Sequence, residues 1–202
     1  MKVIEQLLTS AGISPIAGVD EAGRGACAGP LVIASVVLND PFAPELAVVR
    51  DSKEIPESKR EAVFELIHQV ATSVSVVIVL ATEVDARGVH AANLDGMRRA
   101  VQGLNVDPAY VLTDGYAIEG LGVPNLAVWK GDQVVVSISA ASVIAKVTRD
   151  RIMRELDTEY PQYGFAGHKG YITAAHTKAL NEHGPCAQHR RSFANVAALI
   201  HK

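Results

Sequence analysis

A glycine-rich segment between two apolar runs constrains the fold of this chain more than any other feature. Residues 16–30 read IAGVDEAGRGACAGP, and Leu31–Leu38, which follows, is β-branched and ends in a turn sequence. Apolar, β-branched runs bounded by turn residues are typical of strands. A nucleotide-binding glycine loop opens a helix instead, and Gly23, Gly25 and Gly29 are spaced one residue too widely for the dinucleotide fingerprint. The segment therefore predicts a strand, a glycine loop and a second strand.

The remaining sequence predicts further strands and helices in mixed order. Predicted strands are Ile16–Asp20, Leu31–Leu38, a short one near 47–49, Ser73–Ala81, Tyr110–Thr113 and Ala127–Trp129. Predicted helices are Val3–Ala11, one whose capping box begins at Ser58, His90–Leu104, Ser137–Leu156, Thr173–Asn181 and one from Phe193. Strands that first form hairpins and later alternate with helices indicate an α/β fold, with a mixed sheet and helices on its faces.

Bulk properties favour one cytoplasmic domain. A chain of 202 residues, of which 49% are hydrophobic, can bury a full core. No apolar run approaches the roughly 18 residues of a membrane span, and the first residues do not resemble a signal peptide. Cys27 and Cys186 have neither metal-binding nor disulfide spacing, which predicts two reduced thiols.

Charge is distributed unevenly along the chain. From Ala141 onward there are nine Lys and Arg and five Asp and Glu, a balance of +4, whereas the remainder has ten and seventeen, a balance of −7. This pattern suits an acidic metal site beside a polyanion-binding surface, and a solvated surface of uneven charge would give the same counts. Arg149, Arg151 and Arg154 end the longest predicted helix, and we expect them to stay out of the core.

Three predicted strands end in acidic residues. Asp20 and Glu21 end the first, and Asp114 and Asp132 follow later apolar runs. Carboxylates at neighbouring strand ends can converge, and their repulsion is relieved by divalent cations. Oxygen ligands favour Mg²⁺ or Mn²⁺ over zinc, and two such ions can promote phosphodiester hydrolysis.

Each of these acids also has a simpler interpretation. A single strand-end aspartate is more often a turn former than a ligand. Neighbours on a strand point to opposite faces, so Glu21 can join Asp20 only if the strand breaks or bulges. Otherwise Glu21 contributes a backbone oxygen or stabilises the structure.

The histidines of the C-terminal segment offer a competing metal site. His168, His176, His183 and His189 are spaced eight, seven and six residues apart. No pair has the spacing of three or four residues that a compact zinc site on a helix requires. Polar or phosphate contacts are therefore favoured over zinc.

Aromatic residues interleave with the basic C-terminal segment. Tyr163, Phe165, Tyr171 and Phe193 can stack on a sugar or base, although such residues more often belong to a core. Trp129, beside a predicted strand end, is expected in the core.

Seven ordered blocks of the sequence resemble the bacterial ribonuclease HII family. They are GVDEAGRGACAGP at 18–30, DSK at 51–53, LTDG at 112–115, VWKGD at 128–132, SAASVIAKVTRDR at 139–151, YGFAGHKGY at 163–171 and HRRSF at 189–193. The resemblance implies a ribonuclease H-like fold, with a central mixed sheet flanked by helices and a helical C-terminal part. It also implies one domain over residues 1–202, in which 160–202 contact the substrate.

The resemblance further implies an endonuclease that acts on RNA joined or paired to DNA. Such an enzyme cleaves the RNA strand of RNA/DNA hybrids and nicks 5′ of a single ribonucleotide in duplex DNA, leaving 3′-hydroxyl and 5′-phosphate ends. The family's metal ligands match Asp20, Glu21, Asp114 and Asp132, which implies a site for two Mg²⁺ or Mn²⁺ ions.

Substrate-binding residues are implied by the same resemblance. They match Gly23, Arg24, Gly25 and Tyr171. The glycine-arginine-glycine segment senses the ribose 2′-hydroxyl mainly through its backbone, and the tyrosine stacks on the next deoxyribose. We also expect phosphate contacts from Lys53 and Lys146, and a pair between Asp150 and a nearby arginine.

Two other functions compete with this hypothesis. A related nuclease that acts on DNA junctions would have no use for a 2′-hydroxyl sensor, and a binding domain that has lost catalysis would not need all four acids. The sequence after the HRRSF block contains no paired aromatics typical of a sliding-clamp peptide. Recruitment by a clamp is therefore not supported. The sequence does not reveal the oligomeric state, and a monomer is the default expectation.

Overall fold

The structure, a computed structural model, describes residues 3–49 and 55–200 and has a five-stranded sheet at its centre. The strands are β1 Ile16–Ala22, β2 Leu31–Leu38, β3 Ala71–Val79, β4 Tyr110–Asp114 and β5 Asn125–Val128. They lie in the order β3-β2-β1-β4-β5. The first three pair antiparallel and the last three parallel, so the predicted mixed sheet is confirmed.

Helices occupy both faces of this sheet. They are α1 Val3–Ser10, α2 Glu57–Val70, α3 Ala81–Arg87, α4 Val89–Gln102, α5 Gly131–Val134, α6 Val136–Glu159, α7 Phe165–His168, α8 Ala174–His183 and α9 Ala194–Ile200. Within residues 3–49 and 55–200, none of the helices combines the length and apolar composition needed to cross a bilayer.

The alternation of side chains along β1 and β2 divides the core into two layers. One layer joins Val32, Ala34 and Val36 of β2 to α2 and α6. The other joins Ala17 and Val19 of β1 to α3 and α4. The sheet is therefore buried on both sides, which explains why its central strands read as continuous apolar runs.

Two local predictions from the sequence are wrong. The strand expected near 47–49 is a 3₁₀ helix, Pro44–Val48, in which Leu46 is buried and Val48 is exposed. Proline at the start of this segment cannot donate to a strand ladder, which favours the turn. The helix expected to have a cap at Ser58 begins at Glu57, after Pro56, without a side-chain cap. Pro56 is the N-cap residue in an extended conformation, where its missing N–H removes no hydrogen bond of the helix.

The C-terminal helices pack against the end of α6 and the glycine loop. Their shared core includes Cys27 of the loop, Met153 of α6, Phe165, Leu180 and Val196. A β-bridge between Ala28 and His189 joins the loop directly to the chain before α9. The C-terminal part thus supports the segment that the resemblance assigns to substrate binding. That residues 160–202 themselves contact the substrate stays a prediction.

Candidate active site

Sheet register brings three of the predicted acids together. β1 and β4 are parallel with Val19 opposite Thr113, so Asp20 and Asp114 leave neighbouring strands at the same level. After β5 the chain turns at Lys130, whose φ of 53° is left-handed, and the Gly131 amide then donates to Asp114 Oδ1 at 2.7 Å. Asp132 follows in α5. Carboxylate oxygens of Asp20, Asp114 and Asp132 lie within 4.8 Å of one another.

Glu21 lies beside this cluster. β1 continues through it without a bulge, with Asp20 opposite Ala34 and Glu21 opposite Ile33 of β2. The two side chains therefore leave opposite faces of the strand, and the Glu21 carboxylate is not among the oxygens that meet within 4.8 Å. Its role as a metal ligand stays a prediction.

The electrostatics of the cluster favour a divalent cation. Burial raises the pKa of Asp20 well above its usual range, and the charges of Glu21 and Asp114 raise it further. Hydrogen bonds from Ser142 and from the Glu21 amide, at 2.7 Å to Asp20 Oδ1, act in the opposite direction. Carboxylate oxygens of like charge, drawn together in a largely buried position, fit Mg²⁺ or Mn²⁺.

Two buried arginines hold the glycine loop from inside. Arg149 donates to the carbonyls of Pro30, Lys169 and Ala28 at 2.8, 2.8 and 3.1 Å. Arg190 donates to the carbonyl of Arg24 at 3.0 Å, and to that of Gly29 at 3.2 and 3.0 Å. Burial lowers the pKa of both guanidinium groups, that of Arg190 to about 10.

The expectation that the arginine end of α6 stays out of the core is wrong for Arg149. Its side chain is fully buried because three backbone carbonyls replace water around the guanidinium, whereas Arg151 and Arg154 remain half exposed. The sequence feature that accompanies this burial is Gly23, because a Cβ at that position would overlap the Arg149 side chain. Sequence reasoning missed Arg190 in the same way.

A first cavity, of about 440 Å³, lies along the glycine loop. Its lining includes Gly23, Arg24, Gly25, Tyr171 and Lys146, which brings together the predicted substrate-binding residues that the structure describes. Lys53 lies outside the described residues.

Lys146 is held in this cavity by Asp150. The Lys146 ammonium donates to Asp150 Oδ1 at 2.6 Å, and burial lowers the lysine pKa despite this pairing. Arg60 forms an ion pair with Asp150 at 3.7 Å. The expected arginine partner of Asp150 is therefore confirmed, and Lys146 is a second partner that the sequence did not reveal.

A second cavity, of about 480 Å³, lies on the other side of Glu21 and Arg24. Asp114, Asp132, Lys130 and Trp129 are among the residues that line it. The expectation that Trp129 is in the core is wrong, because its side chain is 82% exposed. Val128 points inward at the end of β5, so its neighbour must point outward.

Three of the histidines considered for a metal site, His168, His176 and His189, meet behind Tyr171. His168 and His176 stack with ring centroids 4.2 Å apart, and His176 Nε2 lies 3.1 Å from His189 Nε2. The Cys186 amide donates to His189 Nδ1 at 3.0 Å, so His189 donates from Nε2 to His176. His176 Nδ1 then donates to the Tyr171 carbonyl at 2.9 Å. Ring nitrogens are thus engaged by backbone groups and by each other, whereas His183 is exposed.

The buried histidines predict a loss of stability in mild acid. Burial lowers the pKa of His189 to about 4 from 6.5, helped by His176 and His168. The unfolded chain therefore binds more protons than the folded protein between pH 6.5 and 4, so stability falls as pH decreases through this window. At pH 4 the loss from His189 reaches about 3 kcal/mol.

Urea unfolding of the wild type and His189→Gln at pH 7 and pH 5 measures this effect. His183→Gln, at an exposed position, serves as the control. We expect a smaller decrease in the free energy of unfolding between the two pH values for His189→Gln, and a wild-type decrease for the control. Equal decreases in all three proteins would contradict the assignment.

Comparisons with known proteins agree with the fold. The sequence model of the Ribonuclease HII family matches residues 17–196. Ribonuclease HII of Acidothermus cellulolyticus is 57% identical over 192 residues, which are 95% of this chain and 62% of that protein. Ribonuclease HII of a Parafrankia species is 57% identical over 195 residues, which are 96% of this chain and 81% of that protein.

Among solved structures, ribonuclease H2 from Pyrococcus horikoshii superimposes with a TM-score of 0.79 and 27% identity, covering 91% of this chain and 96% of that one. The ribonuclease H-like fold expected from the sequence is thereby confirmed. The matched region contains every described acid of the site. The chain therefore belongs to the ribonuclease HII family of metal-dependent endonucleases.

Proposed function

We propose that this protein cleaves the RNA strand of RNA/DNA hybrids and nicks 5′ of a single ribonucleotide in duplex DNA. The products carry 3′-hydroxyl and 5′-phosphate ends. The observation that carries the proposal is the position of the glycine loop, which directly follows the strand that supplies Asp20 to the three-carboxylate cluster. Hydrolytic groups and a segment suited to ribose therefore lie side by side.

Asp20, Asp114 and Asp132 would hold the divalent cations in this mechanism, with Glu21 as an additional ligand. When bound, two Mg²⁺ or Mn²⁺ ions would activate the attacking water and stabilise the leaving oxygen. The Gly131 amide restrains Asp114, and Ser142 and the Glu21 amide restrain Asp20. The protein thus fixes the orientation of the carboxylates before substrate binds.

Gly23, Arg24 and Gly25 would contact the ribose from the first cavity. Because Arg190 donates hydrogen bonds to the carbonyls of Arg24 and Gly29, the loop has a fixed inner side and presents its outer side to the cavity. A site built around a hydroxyl group can discriminate strongly against a sugar that lacks it, because its polar groups are then left unpaired.

Tyr171 and Lys146 would contact the strand next to the ribose. The Tyr171 ring is 40% exposed at the edge of the cavity, within 5.5 Å of the Arg149 guanidinium carbon. An exposed ring fixed on its inner side is suited to stack on a sugar. Lys146 points into the same cavity as a cation for a phosphate, and Lys53 is proposed for the same role.

Three labelled duplexes test this function. They are an RNA/DNA hybrid, a DNA duplex with one ribonucleotide, and the same duplex entirely of DNA, each incubated with Mg²⁺, Mn²⁺ or EDTA. We expect metal-dependent cleavage of the first two, with the nick 5′ of the ribonucleotide in the second. Equal cleavage of the all-DNA duplex would indicate a general nuclease, and tight binding without cleavage would indicate a binding domain.

Two glycines of the loop should separate folding from substrate binding. A Cβ at Gly25 meets no atom within 4 Å, and the residue is exposed, so Gly25→Ala should leave the free energy of unfolding unchanged within about 0.5 kcal/mol. A Cβ at Gly23 would overlap Arg149, and the φ of 88° at Gly23 would strain any residue other than glycine. Gly23→Ala should therefore destabilise the protein.

The rates at which the two folded variants cleave a duplex with a single ribonucleotide are then compared with the wild-type rate. Gly25→Ala should reduce the cleavage rate by about tenfold or more, since a methyl group would occupy space needed for the close approach of ribose. Urea unfolding measures the stability of each variant. Wild-type cleavage by a stable Gly25→Ala variant would argue against contact between this glycine and the substrate.

A further inference from the structure

Trp129 is the one tryptophan of the chain, and the strand alternation that turns its side chain outward leaves it in contact with solvent. At 82% exposed, it contacts water where an indole is usually covered at least in part. The residue lies between β5 and α5, three positions before Asp132 of the carboxylate cluster. An exposed aromatic ring beside a catalytic cluster is a candidate contact for a flat ligand group.

The backbone next to Trp129 is in a rare conformation. Lys130 has a φ of 53°, a left-handed value that costs energy for a residue other than glycine. This turn lets the Gly131 amide reach Asp114 and leaves Trp129 and Lys130 facing outward. The turn that positions Asp132 therefore also presents an indole and an ammonium group together.

The second cavity shows where these two groups point. Trp129 and Lys130 line it together with Tyr116 and Gln133, and the Arg24 guanidinium lies over the Tyr116 ring at 4.6 Å. Glu21 and Arg24 line both cavities, so they lie between Tyr171 of the first cavity and Trp129 of the second, which also contains Asp114 and Asp132. A strand whose scissile phosphate lies at the cluster would extend into both cavities.

We propose that Trp129 and Lys130 form a subsite for the nucleotide on the opposite side of the scissile phosphate from Tyr171. This subsite rests on the proposed function. The indole stacks on the base or sugar of that nucleotide, and the Lys130 ammonium contacts its phosphate. With Tyr171 next to the deoxyribose that follows the ribonucleotide, the Trp129 subsite holds the nucleotide on the 5′ side.

The intrinsic fluorescence of the protein tests the subsite directly, because Trp129 is its one tryptophan. The Asp20→Asn variant in Mg²⁺ is titrated with a fluorescently labelled DNA duplex that contains one ribonucleotide, and anisotropy of the label reports binding in parallel. We expect the duplex to quench the tryptophan emission as it binds. A duplex shortened on the 5′ side of the ribonucleotide should quench less than one shortened on the 3′ side.

Substitutions in the same background measure the contribution of the indole. Trp129→Ala should weaken duplex binding by on the order of tenfold, as expected for one lost stacking contact, and Trp129→Phe should retain most of the affinity. Leu126→Ala is the matched control, because Leu126 is 43% exposed on β5 and lines neither cavity. Its affinity should equal that of the parent.

The possible outcomes distinguish this subsite from the proposed function. The subsite would be overturned if the tryptophan emission stayed unchanged when the protein is saturated with duplex and Trp129→Ala bound the duplex as tightly as its parent. Wild-type cleavage at the ribonucleotide would then still support the proposed function. A wild-type protein that neither binds nor cleaves the duplex would overturn both.

Discussion

Asparagine in place of Asp20 is expected to reduce metal-dependent cleavage by about a thousandfold or more. Asp20 lies at the centre of the cluster, where its carboxylate meets those of Asp114 and Asp132. Metal ions in such a site supply several kcal/mol of transition-state stabilisation, and about 1.4 kcal/mol corresponds to a factor of ten in rate. Single-turnover cleavage of a duplex with one ribonucleotide, in Mg²⁺ and in Mn²⁺, measures the loss.

Thermal unfolding of the same variant shows whether the lost activity reflects lost metal binding. Without metal, Asp20→Asn should be at least as stable as the wild type, because burial and neighbouring carboxylates already disfavour the ionised aspartate. A cation that binds the folded state at a hundred times its Kd stabilises the wild type by about 2.7 kcal/mol. We expect this metal-induced rise in Tm to be much smaller in the variant.

Asp107→Asn is the matched control for the charge change. Asp107 is exposed and precedes β4, whereas Asp114 ends that strand. The control should keep both the cleavage rate and the metal-induced rise in Tm. If Asp20→Asn keeps a rate within tenfold of the wild type, the carboxylate cluster is not the catalytic centre.

The second large effect is expected from Arg149→Met, which should lower the free energy of unfolding by about 4 kcal/mol. The guanidinium is the charged donor for the carbonyls of Ala28, Pro30 and Lys169, and methionine would leave these buried acceptors unpaired. Because these bonds tie the glycine loop to the chain before Tyr171, cleavage should decrease even where the variant remains folded. Urea unfolding and cleavage assays at low temperature measure the two effects.

Arg154→Met tests whether the loss of stability depends on the buried position of Arg149 or follows from any replacement of arginine by methionine. Arg154 lies on the same helix, but its side chain is 42% exposed and pairs with Glu57 and Glu61 at the surface. Exposed ion pairs of this kind contribute about 1 kcal/mol or less. A comparable loss of stability in both variants would contradict the role assigned to the buried guanidinium.

The local sequence pattern predicted most of the sheet correctly. Apolar, β-branched runs located all five strands, and the run is fully buried in the central strand β2, whereas the edge strand β3 exposes Val76 and Ile78. The short apolar run near 47–49 was the exception, since three residues after a proline-containing segment do not provide enough ladder hydrogen bonds to define a strand. Acidic residues at strand ends likewise pointed to Asp20, Asp114 and Asp132 as a cluster.

Residue type was a poor guide wherever burial depended on distant partners. Arginine and tryptophan have strong average preferences, yet Arg149 is buried and Trp129 is exposed. The carbonyls that stabilise Arg149 come from residues 28, 30 and 169, far from it in the sequence. Trp129 faces outward because Val128 faces inward and because Lys130 adopts a left-handed turn.

The sequence by itself determined the family, the five strands, six of the helices and the acids available for a metal site, because each of these is a property of short segments, but it did not reveal the short helices α3, α5 and α7. Only the tertiary structure decided how those segments meet. Parallel pairing of β1 with β4 placed Asp20 beside Asp114, and the Glu21 carboxylate is not among the oxygens that meet within 4.8 Å. The buried guanidinium groups and the two cavities depend on the same long-range contacts, whose geometry no local pattern encodes.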